Sequence, residues 1–289
     1  MESKNEVLIQ EPNKLVEKNI SDSVLNKIQL MTDNNQLQLP PNYVVGNALK
    51  SAYLKLTETK DKNGESVLKS CNQASIANAL LKMAILGLNP AKDQAYFVPY
   101  GKDLTLLTSY FGKITAIKRI KGVIDVRADV IYQDTEYDLE VDEYGNDLVV
   151  VKKPCPLDKR NPENIIGAWA KIIFDPSVWG TKEYSCVMTM QEIKNAWEQG
   201  ATKGNSPAHK KFATEMAKKS VINRCIKNYI NSCDDQDIVI SSLKETIHDE
   251  YEQGDFEKEE ETIDFDINPN VEEASFDVKE EFEPVDFDD

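Results

Sequence analysis

Ile124-Asp125-Val126-Arg127-Ala128-Asp129-Val130-Ile131-Tyr132 decides the fold class. Ile124, Val126, Ala128, Val130 and Tyr132 alternate with Asp125, Arg127 and Asp129, so the apolar side chains share one face of an extended segment. That is the pattern of a half-buried strand. Downstream, Tyr137, Leu139 and Val141 repeat the alternation, Glu143-Tyr144-Gly145-Asn146 has the composition of a turn, and Leu148 to Val151 returns. Residues 123–153 therefore read as an antiparallel meander. Two further strands are expected at 165–174 and 183–188. The first is apolar on both sides (Ile166, Trp169, Ile172, Ile173, Phe174), which predicts a central strand covered on both faces.

Outward from this block the period changes to that of helices. Leu15, Val16, Ile20, Val24, Leu25, Ile28 and Met31 recur at three- and four-residue steps and predict an amphipathic helix over 14–31. A second is expected from about Tyr43 to Leu56, and a third over Ser75 to Leu86, stopped by Gly87 and Asn89-Pro90. After the strands, Thr189-Met190-Gln191-Glu192 is a capping box, in which hydroxyl and carboxylate each satisfy an orphan backbone N–H. Ser206-Pro207 reads as N-cap and first helical residue of a helix running unbroken to about Ile230. The expected class is α+β: N-terminal helices, a central antiparallel β-meander, a long C-terminal helix and a disordered acidic tail. The expected division is an N-terminal amphipathic segment over 1–35, a core over 36–233 and a tail over 234–289, where apolar residues are too few to offset the ordering entropy.

Charge follows the same division. The net charge of −16 conceals 23 Asp+Glu against 3 Lys in residues 234–289, and 31 Lys+Arg against 27 Asp+Glu before them. Charge acts locally, screened over roughly 10 Å at ordinary salt, so a nucleic acid remains a candidate partner for the basic body. Within it the cations gather in two stretches. Residues 102–127 hold Lys102, Lys113, Lys118, Arg119, Lys121 and Arg127; residues 203–227 hold Lys203, Lys210, Lys211, Lys218, Lys219, Arg224 and Lys227. Solvated helix faces are the plain alternative for either stretch. Lys219 and Asn223, however, fall on a stripe with Phe212, Met216, Ile226 and Ile230, so Lys219 is expected to be partly shielded from water. Aromatics interleave with the first stretch: Tyr96, Phe97 and Tyr100 precede it, and Tyr110 and Phe111 lie within it. Bases stack on aromatic faces for about 1–3 kcal/mol each while lysines neutralise phosphates, although strand aromatics also pack into cores.

Several chemistries find no support in the sequence. Cys71, Cys155, Cys186, Cys225 and Cys233 form no CxxC pair, and His209 and His248 are the only imidazoles, so no metal or redox motif is expected and the reading is a soluble cytoplasmic protein. No apolar run reaches signal-peptide or membrane-spanning length. Gly112-Lys113-Ile114 lacks the preceding glycine and following hydroxyl of a phosphate-binding loop. Asp175 followed by Glu192-Ile193-Lys194 has the spacing of a divalent-metal nuclease, but the capping box assigns Glu192 to a helix start rather than a strand. No catalytic residues and no cofactor are expected; an adaptor that binds other proteins through its first helix and tail is the other non-enzymatic alternative.

Leu86-Gly87-Leu88-Asn89-Pro90, Tyr96 to Gly101, Tyr110-Phe111-Gly112-Lys113-Ile114, Val130-Ile131-Tyr132, and Met216-Ala217-Lys218-Lys219-Ser220-Val221-Ile222-Asn223-Arg224 occur in that order. Together they resemble the RecT family of phage-type single-strand annealing proteins, over about 86–230. The resemblance implies an ATP-independent protein of a phage or prophage in the bacterial cytoplasm. Such a protein coats single-stranded DNA, pairs it with its complement through an annealed duplex intermediate, and assembles as a homo-oligomeric ring or filament beside a partner exonuclease. It implies that the basic residues of the Met216–Arg224 block and around Tyr110–Lys121 form the DNA groove. The departures are at Asn223, where the family pattern usually has the first of two adjacent arginines, and at Cys225, where it usually has leucine. The acidic tail has two readings beyond solubility: competition with DNA for the groove, or docking on host proteins such as a single-strand-binding protein.

Overall fold

A computed structural model of the chain describes residues 12–142, 145–199, 203–233 and 237–252. Helices α1 (Pro12–Asp33), α2 (Val45–Glu58), α3 (Val67–Ser70) and α4 (Gln73–Ile85) come first. A hairpin of β1 (Ala95–Tyr100) and β2 (Asp103–Thr108) leads into α5 (Tyr110–Ile117). Then follow β3 (Val123–Tyr132), β4 (Glu136–Val141), β5 (Asp147–Lys153), β6 (Ile165–Phe174), α6 (Pro176–Trp179) and β7 (Glu183–Thr189). Helices α7 (Met190–Glu198), α8 (Pro207–Lys211), α9 (Ala213–Ser232) and α10 (Ile238–Glu252) close the chain. The α+β class and the order helices, strands, helices stand as expected.

Pairing within the strands differs from a single meander. β4 and β5 form the expected hairpin, but β3 pairs antiparallel with β6, giving a three-stranded sheet in the order β3-β6-β7. An alternating pattern fixes which face is buried and leaves the partner to tertiary packing. The hairpin is tied back to β7 by Ser185, whose hydroxyl donates to the Asp147 carbonyl (2.6 Å) and whose N–H donates to Asp142 (3.1 Å). Half of the expected turn, Glu143-Tyr144, lies outside the described residues. Ile124 is exposed because a register shift between Val123 and Asp125 turns it off the apolar face. β6 is central, as its composition predicts; Ile172 and Phe174 are buried, while Ile166, the extra residue at the register shift between Ile131 and Tyr132, is exposed.

α9 packs on β6 and β3, burying Ala217, Val221, Cys225, Ile226, Tyr229 and Ile230. Ile20, Val24 and Ile28 of α1 join the same continuous core. So does α10, through Val239, Ile240, Leu243 and Ile247, which corrects the expectation of disorder from residue 234. Its start escapes notice because four apolar contacts are averaged into an acidic composition. Lys82 of α4 also reaches it, through ion pairs to Glu245 (3.1 Å) and Asp249 (3.3 Å). The Phe- and Asp-rich segments from 263 onward lie outside the described residues.

The helix from Ser206 is not continuous either. It breaks at Phe212 (φ −128°, ψ 38°), separating α8 from α9 without glycine or proline. Packing supplies the cause: Ala208 and His209 are buried, and the His209 ring lies 4.5 Å from that of Trp197. Two stop and start signals form as read, with Gly87 left-handed (φ 69°) after α4 and the Thr189–Glu192 capping box at α7.

Candidate nucleic-acid interface

α9 presents one face to the core, and its opposite edge meets α7 and α8 in a cleft of about 340 Å³. Lys219, Asn223, Arg224, Lys227 and Asn228 of α9 line it, facing Trp197 and Gln199 beside α7's end and His209 of α8. Helical spacing produces this row. Residues 216, 219, 220, 223, 224, 227 and 228 recur at three- and four-residue steps, so α9 aims its polar edge along one line. The shielding expected for Lys219 is present; it is half-buried.

The cleft's walls are fixed by side-chain bonds. Trp197 donates its ring N–H to Ser220 (2.8 Å), and Ser206, capping α8, bonds both the backbone N–H and Nδ1 of His209. Arg224 is held against Glu192 at 2.7 Å. Glu192 is thus spent on two structural tasks, the helix cap and this ion pair. The Thr189 backbone N–H and the Arg224 guanidinium hold its carboxyl below the usual carboxylate range. Asp175 caps α6 through the Ser177 N–H. Neither carboxylate is arranged as a divalent-metal nuclease motif requires, and among the described residues no cluster of metal-ligating side chains occurs.

The two basic stretches meet at one point. Lys113 of α5 is buried, with its Nζ 3.3 Å from the Asn223 side-chain oxygen, so it supports the cleft from behind instead of lining an open groove. α5 comes this close to its neighbour hairpin because residue 112 is glycine; a Cβ there would overlap the Gln94 carbonyl oxygen. Lys210 and Lys211 are exposed on α8, next to the cleft's His209. The rest of the expected groove is dispersed. Lys118 and Arg127 pair with Asp125, and Lys218 pairs with Asp129 and Glu215. Lys102 sits in the β1–β2 turn, and Lys121 is exposed after α5, its carbonyl accepting from the Trp179 ring. Arg119 lines a separate depression with Tyr43 and Lys118.

The aromatic expectations divide similarly. Phe97 is a core residue, 6% exposed, and presents no face for stacking. Tyr96 and Tyr100 pack over Val98 and Leu107 on one face of the hairpin. Tyr110 packs against the core, whereas its neighbour Phe111, with ring centroids 3.9 Å apart, is 46% exposed. Sequence reasoning missed Trp197 and His209 in the cleft. Ile193 and Trp197, four apart, share the buried face of α7, and Trp197 also lines the cleft.

Extending the body through α10 changes the charge argument. Residues 1–252 carry 32 Lys+Arg against 34 Asp+Glu, so no net positive charge supports a polyanion partner. What supports it is the local row of three cations on α9. No helix among the described residues is long and apolar enough to cross a membrane.

Comparison with known proteins identifies the family. The family model described as RecT family matches residues 46–264, which runs from the second residue of α2 through α10 and includes the whole cleft. No curated protein matches the chain. The match covers most of the chain, and the chain belongs to the RecT family of phage-type recombination and single-strand annealing proteins.

Proposed function

We propose that the protein binds single-stranded DNA by its backbone along the α9 cleft and, as a homo-oligomer, anneals it to a complementary strand without nucleotide hydrolysis. The observation that carries this reading is the row Lys219, Arg224 and Lys227 on one helix edge, opposite the ring wall of Trp197 and His209. Complementary strands repel through their phosphates and fold back on themselves, so annealing needs charge neutralised and the strand extended while base edges stay free. Backbone contacts meet both needs; contacts that read bases would obstruct pairing.

The Glu192–Arg224 pair fits a site that opens to a ligand. Both side chains are more than a third exposed, and such pairs contribute only about 0–1 kcal/mol, so a phosphate can replace the carboxylate on Arg224 at small cost. Asn223 and Asn228 add neutral polar groups beside the cations. No step requires a covalent intermediate, a metal or a cofactor. An exonuclease that exposes the first strand and assembly into a ring or filament complete the reading.

The test is binding of a fluorescent oligonucleotide of about 40 bases at low salt, where electrostatic binding is strongest, followed by addition of its complement with no nucleoside triphosphate present. The expected result is tight binding and accelerated duplex formation, both reduced by Lys219→Ala with Lys227→Ala. Failure to bind any single strand, or magnesium-dependent cleavage of it lost in Glu192→Ala, would overturn the proposal.

A further inference from the structure

On the far side of α5 lies a second polar depression, of about 430 Å³, that the α9 cleft does not use. At about 100° of helix per residue, Thr115 points roughly opposite to Lys113, so α5 stands as a partition with the α9 cleft behind one face and this depression on the other. Its cations are Lys92, Lys118 and Arg119. Lys118 is neutralised by Asp125 at 3.0 Å, whereas no ion pair of Lys92 occurs among the described residues.

Arg119 is the unusual group. Its Nη2 donates to the Gln38 carbonyl at 2.7 Å, but its Nη1 is buried with no hydrogen-bond partner. Burial pushes the guanidinium's pKa down, the direction expected of a charge that has lost water without gaining a full set of acceptors. The wall over it is Gly87, in left-handed conformation, where a Cβ would stand 3.3 Å from Nη1 and 3.1 Å from Cδ. Asn47, in the first turn of α2, completes the rim, and α2 starts at Val44 without any side-chain cap. The nearby carboxylates do not line the depression: Asp125 is held by Lys118 and Arg127, and Asp237 accepts from the Val239 N–H. A half-buried guanidinium, an exposed lysine and an uncapped helix start lining one cavity call for an anion.

We propose that this depression is a second phosphate site, separate from the α9 cleft, that takes a backbone phosphodiester of DNA between Lys92 and Arg119. The proposal rests on the reading of the protein as a single-strand binder, and it adds a contact on the opposite side of α5. Such a contact either holds the same strand after it passes α5 or receives the complementary strand during pairing.

Lysine acetylation followed by mass spectrometry, on the full chain at low salt, separates these outcomes. The probes are an oligonucleotide of about 40 bases, the same oligonucleotide followed by its complement, and inorganic phosphate, with Lys153 of the β4–β5 hairpin as internal reference. The expected result is at least a roughly threefold slower modification of Lys92 with DNA. Slowing by one strand alone assigns the site to that strand's path, and slowing only after the complement assigns it to the second strand. Protection of Lys219 and Lys227 with Lys92 unchanged would overturn this inference and leave the proposed function intact. No protection at any of the three lysines would overturn both. Protection of Lys92 by phosphate but not by DNA would also defeat it, since the site would then serve a free anion. As a second measurement, Lys92→Glu and Asn47→Asp, both at exposed positions, should each lower the slope of log affinity against log salt by about 0.7, the share of one phosphate. Slopes equal to wild type in both variants would count against the site.

Discussion

Replacing Lys219 and Lys227 together by alanine should flatten the salt dependence of single-strand binding by a calculable amount. For single strands, log affinity falls with log salt by about 0.7 for each phosphate neutralised, because each contact releases condensed counterions. Both lysines line the α9 cleft and are half-buried, and in the proposed binding mode each neutralises one phosphate. The double variant should therefore lose about 1.4 from the slope, so that between about 50 and 500 mM salt the wild type loses roughly 25-fold more affinity than the variant. Fluorescence anisotropy of a labelled oligonucleotide, titrated at four or more salt concentrations, reads the slope directly. Thermal melting checks that the variant is folded; neither lysine belongs to the core. A folded variant with the wild-type slope would refute the assignment of the cleft, whatever its absolute affinity.

Leu243→Ala should destabilise the fold by about 2–5 kcal/mol in chemical denaturation, since Leu243 is fully buried and α10 is part of the core; a loss below about 0.5 kcal/mol would return α10 to the tail. Gly112→Ala should cost about 1–3 kcal/mol by pushing α5 off the Gln94 carbonyl, and an unchanged melting temperature would contradict the packing there. Glu192→Gln should strengthen oligonucleotide binding at neutral pH by up to roughly fivefold, the value of an exposed ion pair released from Arg224. The same substitution has a pH signature. The folded-state pKa of Glu192 is depressed, so its contribution to stability is fully present above the ordinary glutamate value of about 4.3 and disappears as pH falls through the depressed one. Wild type should lose its advantage over the variant in that acid window, and a difference independent of pH would show that the charge of Glu192 contributes nothing to stability.

Local chemistry was legible in the sequence wherever a side chain bonds its own neighbourhood. The Thr189–Glu192 box, the Ser206-Pro207 start and the Gly87 stop all form, because each depends on residues a few positions apart. Partner choice was not legible. The alternation in 124–132 fixes a buried face, yet β3 ignores the next strand and pairs with β6 across an intervening hairpin. The break at Phe212 was hidden for the same reason, since the burial of His209 against Trp197 overrides a sequence with no helix breaker. For α10 the signal existed in Val239, Leu243 and Ile247 at four-residue steps, and an average over acidic residues concealed it. At the candidate site, the charge clusters pointed to α9, but they could not distinguish Lys219 and Lys227 in the cleft from Lys218, which points to Asp129, or from Lys113, which is buried.

In the proposed function the α9 cleft holds a sugar-phosphate backbone while bases remain free to pair. The most direct measurement of that role is the rate at which two complementary oligonucleotides become duplex, without nucleoside triphosphate, in the presence of a folded Lys219→Glu, Lys227→Glu variant compared with wild type. Wild type should accelerate pairing, and the variant rate should be no faster than that of the DNA alone. A charge-reversed variant that anneals as fast as wild type would contradict it.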